Sequence, residues 1–222
     1  MPVSTGPSLV REVTIEFKWH PGMAPSQKLK NVIELHRSAA ARGLSPLLEV
    51  SSKSEHELGR RMSAFVMPIR VGGKQTTVEC AYQGSKVFRD GGPYEDLYWV
   101  SSREAKRDER LHNSGQLIGF SLLGDDFPLV PKTAFYDWLY LNALYPHRGW
   151  LNKLEECVGF TDIEFNPLKS LNCQARSCAI FISLLRRDLL DEAMESFGIF
   201  IELAYVADAR RKLPTPKTAL LL

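Results

Sequence analysis

Residues 9–19, LVREVTIEFKW, alternate apolar and polar positions, with Val13, Ile15, Phe17 and Trp19 on one side. A period of two predicts a half-buried strand. HPGMAP breaks it. From Ser26, a residue type that caps helices, Leu29, Val32, Ile33 and His36 follow helical spacing, and Gly43 closes the run. SPLLEVSS reads as a second strand, and the polar, aperiodic SSKSEHELGRR as a loop. MSAFVMPIRV and KQTTVE flank Gly72 and Gly73, the pattern of a hairpin with a two-residue turn. TVECAYQGSKVF follows at once and is predicted to be a helix. Each helical residue turns about 100°, so Glu79, Gln83 and Lys86 fall on one stripe with Tyr82 at its edge. Cys80, Ala81, Gly84, Val87 and Phe88 take the other side.

Beyond it, RDGGPYEDL is a loop, and SSREAKRDERLHNSG a helix capped by Ser101 or Ser102 and stopped by Gly115. QLIGFSLLGDDFPLVPK is a short strand-and-turn region. TAFYDWLYLNALYPH and WLNKLEECVGF read as helices, and TDIEFNPLKSLN as a polar loop. Residues 173–212 supply one or two apolar helices, and LPTPKTALLL a tail. The fold class expected is α+β, a mainly α-helical single domain with a small antiparallel sheet.

Composition narrows the partners. A net charge of +2 is far from the basic stripe that non-specific DNA binding needs. No apolar run approaches a membrane span, and MPVSTGPSLVREV lacks the apolar core of a signal peptide. A cytoplasmic protein is therefore expected. Cys80, Cys157, Cys173 and Cys178 form no CxxC pair and read as reduced core thiols. GxGxxG, P-loop, HExxH and GxSxG patterns are missing, so no metal or cofactor is expected. His36 reads as a packed core residue. SREAKRDER reads as a solvated face laced with ion pairs, from which Arg103 can still meet a phosphate.

Two polar clusters remain. One is the Glu79–Gln83–Lys86 stripe, whose helix begins beside a strand end, where pockets form. The other is FTDIEFNPLKSLN, which offers Asp162, Glu164, Asn166 and Asn172 on a loop before a long apolar helix.

VGGKQTTVECAYQGSKVF resembles the signature of the NADAR (YbiA-like) superfamily, with Val71, Gly73, Lys74, Glu79, Gln83, Lys86 and Phe88 in its places. MSAF resembles the family's Phe-Ser-Asn-Phe, and Trp138 its mid-chain Trp. TDIEFNPLKSLNCQARSCAIFISLLRR resembles the closing segment and places Asp162 and Asn172. The usual His-Tyr-Phe after the glutamate is here Cys80, Ala81 and Tyr82, and the usual Trp-Gly is Glu164-Phe165. Residues 1–50 are extra to the series, an N-terminal strand–helix–strand extension packed on the core. Residues 51–205 would be the NADAR-like catalytic domain and 206–222 a flexible tail. Taken whole, the chain is most similar to the NADAR branch that counters DarT-type toxins, which attach ADP-ribose to guanine in DNA.

The resemblance implies an N-glycosidase that removes ADP-ribose from guanine in DNA, an antitoxin paired functionally with a DarT-type toxin. Its ligands would be ADP-ribosylated DNA or free ADP-ribose, with no membrane partner. Glu79 would stabilise the oxocarbenium-like carbon and act as acid or base. Lys86 would attack C1″ and form a Schiff base. Asp162 would orient sugar hydroxyls or water. Gln83 would hold ribose or the base edge, and Tyr82, Phe65 or Trp138 would stack on a base. Ser63, Asn166 and Asn172 join the binding set, and Ser51, Ser52, Lys53 and Arg103 would meet the pyrophosphate. Two alternatives share the site: a YbiA-like N-glycosidase acting on phosphorylated riboflavin-pathway intermediates, and a non-catalytic ADP-ribose-binding antitoxin.

Overall fold

A computed structural model describes residues 1–22, 24–149, 151–166, 168 and 170–206. Beyond residue 206, the expected tail lies outside the described residues. The molecule is built around two helices, α6 (Ala134–Leu144) and α7 (Gln174–Arg186). Phe135, Leu139, Tyr140, Leu141 and Leu144 of α6 are all buried, and the run Cys178–Leu184 of α7 is buried throughout. A helix apolar on every side belongs in the interior, and these two pack on each other there. The other α-helices among the described residues are α1 (Pro25–Ala40), α2 (Glu57–Arg61), α3 (Val78–Gly84), α4 (Ser102–Arg107), α5 (Arg110–Asn113), α8 (Leu190–Ala193) and α9 (Phe197–Ile201).

The strands are short. The hairpin β2 (Pro68–Val71) and β3 (Lys74–Thr77) turns at Gly72 and Gly73, both with positive φ, as a two-residue hairpin turn requires. Strands β4 (Lys86–Phe88), β5 (Leu117–Leu122) and β6 (Asp125–Phe127) form an antiparallel sheet. A parallel pair joins β1 (Leu47–Glu49) to β7 (Gly159–Thr161), which fastens the N-terminal third to the segment before Asp162. Farther up the chain, Ser183 Oγ donates to the Leu9 carbonyl (2.6 Å), and the Val3 amide donates to Ser183 Oγ (2.9 Å).

Several expectations need correction. The strand predicted over 9–19 finds no strand partner among the described residues, where Val10 alone bridges, to Pro2. Helix α1 starts at Pro25 after Ala24 rather than at a Ser26 cap, because proline suits the first helical turn. The stretch assigned to a loop at 51–61 contains α2. The helix predicted through Phe88 stops at Gly84, and Lys86 belongs to β4. The helix over 101–115 breaks at Asp108 into α4 and α5. WLNKLEECVGF is a 3-10 turn (Leu151–Glu156) followed by β7. In each case a tertiary partner or a local break outweighs local periodicity.

Candidate active site

The site forms where α3 starts. Its first N–H groups need partners from outside the helix. The Thr77 hydroxyl accepts from the Cys80 amide (3.2 Å), the Met67 carbonyl from the Val78 amide (3.1 Å) and the Ala64 carbonyl from the Glu79 amide (3.0 Å). The turn 62–67 therefore lies across the helix start. Tyr140 Oη anchors it at the Met62 carbonyl (2.6 Å) and Ser102 Oγ at the Phe65 carbonyl (2.7 Å).

Glu79 is only 5 % exposed. Gln83 Nε2, one turn on, donates to Glu79 Oε1 (2.9 Å), and Lys106 Nζ of α4 stands 3.7 Å from the same oxygen. Gln83 Oε1 is buried with no hydrogen-bond partner among the described residues. A buried acceptor left unpaired is costly and calls for a donor.

Lys86 reaches this cluster from β4 rather than from the helix stripe. Its Nζ lies 5.0 Å above the Tyr82 ring, which packs on Phe120 (5.5 Å between ring centres) and Tyr136 (5.2 Å). Burial over this aromatic floor lowers the ammonium pKa, Glu79 opposes the fall and Lys106 adds to it; the outcome is about 8. Such an amine is partly neutral near neutral pH and is a competent nucleophile.

Asp162 follows β7. Its Oδ1 accepts from the Glu164 amide (3.1 Å), and its Oδ2 accepts from Gln174 Nε2 (3.1 Å). Gln174 Oε1 in turn accepts from the Ala64 amide (2.6 Å). The path runs from the Asp162 carboxylate through the Gln174 side-chain amide and the Ala64 backbone to the Glu79 backbone amide, so it ties Asp162 to the start of α3. Burial raises the Asp162 pKa against the Gln174 and backbone hydrogen bonds. The loop is fixed from below by buried Glu49, which accepts from Ser51 Oγ (2.5 Å), Thr161 Oγ1 (2.6 Å) and the Ile163 amide (2.9 Å). His36 Nε2 meets Thr161 Oγ1 at 2.9 Å, and Lys28 of α1 pairs with Glu164 at 3.3 Å.

The other expected residues divide. Asn172 stands against the Tyr82 hydroxyl, whose pKa burial pushes up to about 12. Phe65 borders the cluster, with Lys106 Nζ 4.9 Å over its ring, and Ser63 is buried in the same turn. Arg103 is exposed on α4. Ser51 is committed to Glu49, Ser52 is exposed beside it, and Lys53 donates its amide to Ser51 Oγ (3.1 Å). Asn166 is exposed and accepts from the Leu168 amide (3.0 Å). Trp138 is placed away from the cluster: its ring packs on Phe197 and Phe200.

Sequence reasoning missed Lys106, Gln174 and Tyr136. Lys106 was hidden in a mixed-charge helix, and Gln174 stands at the first position of a long apolar one. It also missed Asp137, fully buried on α6. Asp137 accepts from Arg176 Nη1 (2.7 Å), Ser177 Oγ (2.5 Å), Thr133 Oγ1 (3.0 Å) and the Tyr205 hydroxyl. This network clamps α6 to α7 behind the site. Two cavities, of about 340 and 240 Å³, have other linings: Ser8, Leu9, Arg176 and Ile180 for the first, Arg148 and Leu190 for the second. At Glu79 itself, Gln83 and Lys106 lie directly on the carboxylate.

Among the described residues, no helix is long and apolar enough to cross a membrane.

At the start of α3 the α+β fold thus brings together the buried Glu79 carboxylate, the desolvated Lys86 amine and the Gln83 amide oxygen that is unpaired among the described residues, with Asp162 tied to the same turn through Gln174. The chain belongs to the family of DarT1-associated NADAR antitoxins, whose model matches residues 1–213. The match includes the N-terminal segment before residue 50. A search of curated proteins finds no match.

Proposed function

We propose that this protein hydrolyses the bond between ADP-ribose and guanine in DNA and so reverses the modification made by its toxin. The observation that carries this reading is Lys86 Nζ held 5.0 Å over the Tyr82 ring in the cluster that contains buried Glu79, where burial lowers its ammonium pKa to about 8. Family membership supports the antitoxin role and the pairing with a DarT1 toxin.

The chemistry follows from the groups. The neutral Lys86 amine attacks ribose C1″ as the bond from C1″ to the exocyclic guanine nitrogen breaks. Glu79 passes a proton from the new Lys86–C1″ ammonium to the departing nitrogen and faces the positive carbon. The Lys86 adduct opens, its ring oxygen takes a proton, and a Schiff base remains. Water adds to the imine carbon, and Lys86 leaves as a free amine with ADP-ribose restored. Asp162, held by Gln174, orients that water or the sugar hydroxyls. Gln83 Oε1 takes a ribose hydroxyl as its missing donor. In duplex DNA the adduct has to leave the base stack to reach these groups.

The test is to incubate the protein separately with ADP-ribosylated DNA and with phosphorylated aminopyrimidine intermediates. Release of ADP-ribose from DNA alone is the expected result. Cleavage of the intermediates alone would assign the site to the riboflavin-pathway reaction. Tight ADP-ribose binding without turnover would assign it to a binding antitoxin.

A further inference from the structure

Residues 11–22 run from the Pro2–Val10 bridge towards α1 with no turn, bend or strand partner among the described residues. Their sequence is nonetheless that of a strand, and the alternation persists in space. The rings of Phe17 and Trp19 meet edge to face at 6.1 Å, so positions two apart share a side. Thr14 and His20 turn backbone groups to the body. The Thr14 carbonyl accepts from Arg42 Nη1 (2.9 Å), the His20 amide donates to Asn31 Oδ1 (2.6 Å), and the His20 carbonyl accepts from Asn31 Nδ2 (2.9 Å). Backbone groups of Val13, Ile15 and Phe17 have no hydrogen-bond partner among the described residues. A row of unpaired groups on one edge is a template for another strand.

The segment is complementary to itself. With a two-fold axis at Ile15 and the two copies antiparallel, Glu12 faces Lys18, Val13 faces Phe17, Thr14 faces Glu16 and Ile15 faces its own counterpart. Moving the axis to Thr14 sets Glu12 against Glu16, and moving it to Glu16 sets that residue against itself; like charges across a ladder repel. An axis at Phe17 also faces Glu16 with Lys18, but it sets Val13 against Pro21, which has no N–H to give the ladder. We propose that residues 12–18 pair with the same residues of a second copy of this chain, centred on Ile15. Val13, Ile15 and Phe17 supply the ladder from the open edge. The Glu12–Lys18 pairs then fall at non-hydrogen-bonded positions, where facing side chains come closest. Glu12, 81 % exposed and in a long 3.8 Å ion pair with Arg176, can exchange that partner for Lys18, because an exposed pair contributes little. Such an interface is isologous. A two-stranded ribbon buries little surface, so the dimer is weak and concentration-dependent.

Sedimentation velocity of the full chain over concentrations on the order of 1 to 100 µM tests this. The wild type is expected to pass from monomer to dimer. Glu12→Lys and Ile15→Pro are expected to stay monomeric with unchanged circular dichroism, since both positions lie outside the core. The double exchange Glu12→Lys with Lys18→Glu is expected to restore the dimer, because it swaps the partners of one register. A wild type that stays monomeric over the whole range overturns the proposal. So does a dimer indifferent to Glu12→Lys, or a double exchange that fails to rescue.

Discussion

Replacing Lys86 with methionine isolates the energetic cost of the proposed nucleophile. In the folded protein its ammonium pKa falls from 10.5 to about 8, with burial as the largest cause. That drop corresponds to ~3 kcal/mol of destabilisation of the charged form. Water reaching a half-buried side chain screens part of this, leaving ~1–3 kcal/mol. The folded pKa lies below the unfolded one, so between them the unfolded chain holds a proton that the folded chain has released. Stability of the wild type therefore rises with pH from about 8 to 10.5 through this residue. Methionine preserves the unbranched apolar stem and has nothing to titrate. At about pH 7, Lys86→Met is expected to be more stable by that ~1–3 kcal/mol, and the gap is expected to close as pH passes 10.5. Urea unfolding of both proteins across this range, with equal m-values, measures the difference. Parallel pH profiles, or a variant less stable than the wild type at about pH 7, would refute the reasoning.

Glu79→Gln is expected to keep the fold and lose roughly 100-fold or more of the hydrolysis rate, read by release of ADP-ribose from modified DNA. Wild-type turnover is expected to rise as pH passes about 8, where Lys86 becomes neutral; because Glu79 raises that pKa, residual turnover by Glu79→Gln should rise at lower pH. Asp137→Ala strands the Arg176 guanidinium and is expected to cost about 3–5 kcal/mol in chemical unfolding. Gly84→Ala drives a methyl group into the Tyr98 ring where α3 ends, and a thermal melt should show a large fall in Tm.

The parts of the fold legible in the sequence are those set by local chemistry. Gly72 and Gly73 demand a turn with positive φ, and Thr77 caps the helix that follows, so the β2–β3–α3 unit could be read directly. Glu79 and Gln83 needed only a four-residue spacing. Helix α3 ends at Gly84 because the Tyr98 ring packs against it, and β4 exists because β5, about thirty residues away, pairs with it. Neither partner announces itself locally, so Lys86 was expected on the right cluster but on the wrong element. The Asp162–Gln174–Ala64 connection is equally non-local. Residues 11–19 fail in the opposite way: their pattern is a strand's, but the described chain offers them no ladder.

The proposed reaction requires Lys86 and Glu79 to act together on one sugar carbon. Incubating the protein with ADP-ribosylated DNA in the presence of borohydride, followed by mass spectrometry, tests this most directly. A reduced ADP-ribosyl adduct on Lys86 of the wild type, with none on Lys86→Ala and no turnover by that variant, is predicted. Undiminished release of ADP-ribose by Lys86→Ala would contradict it.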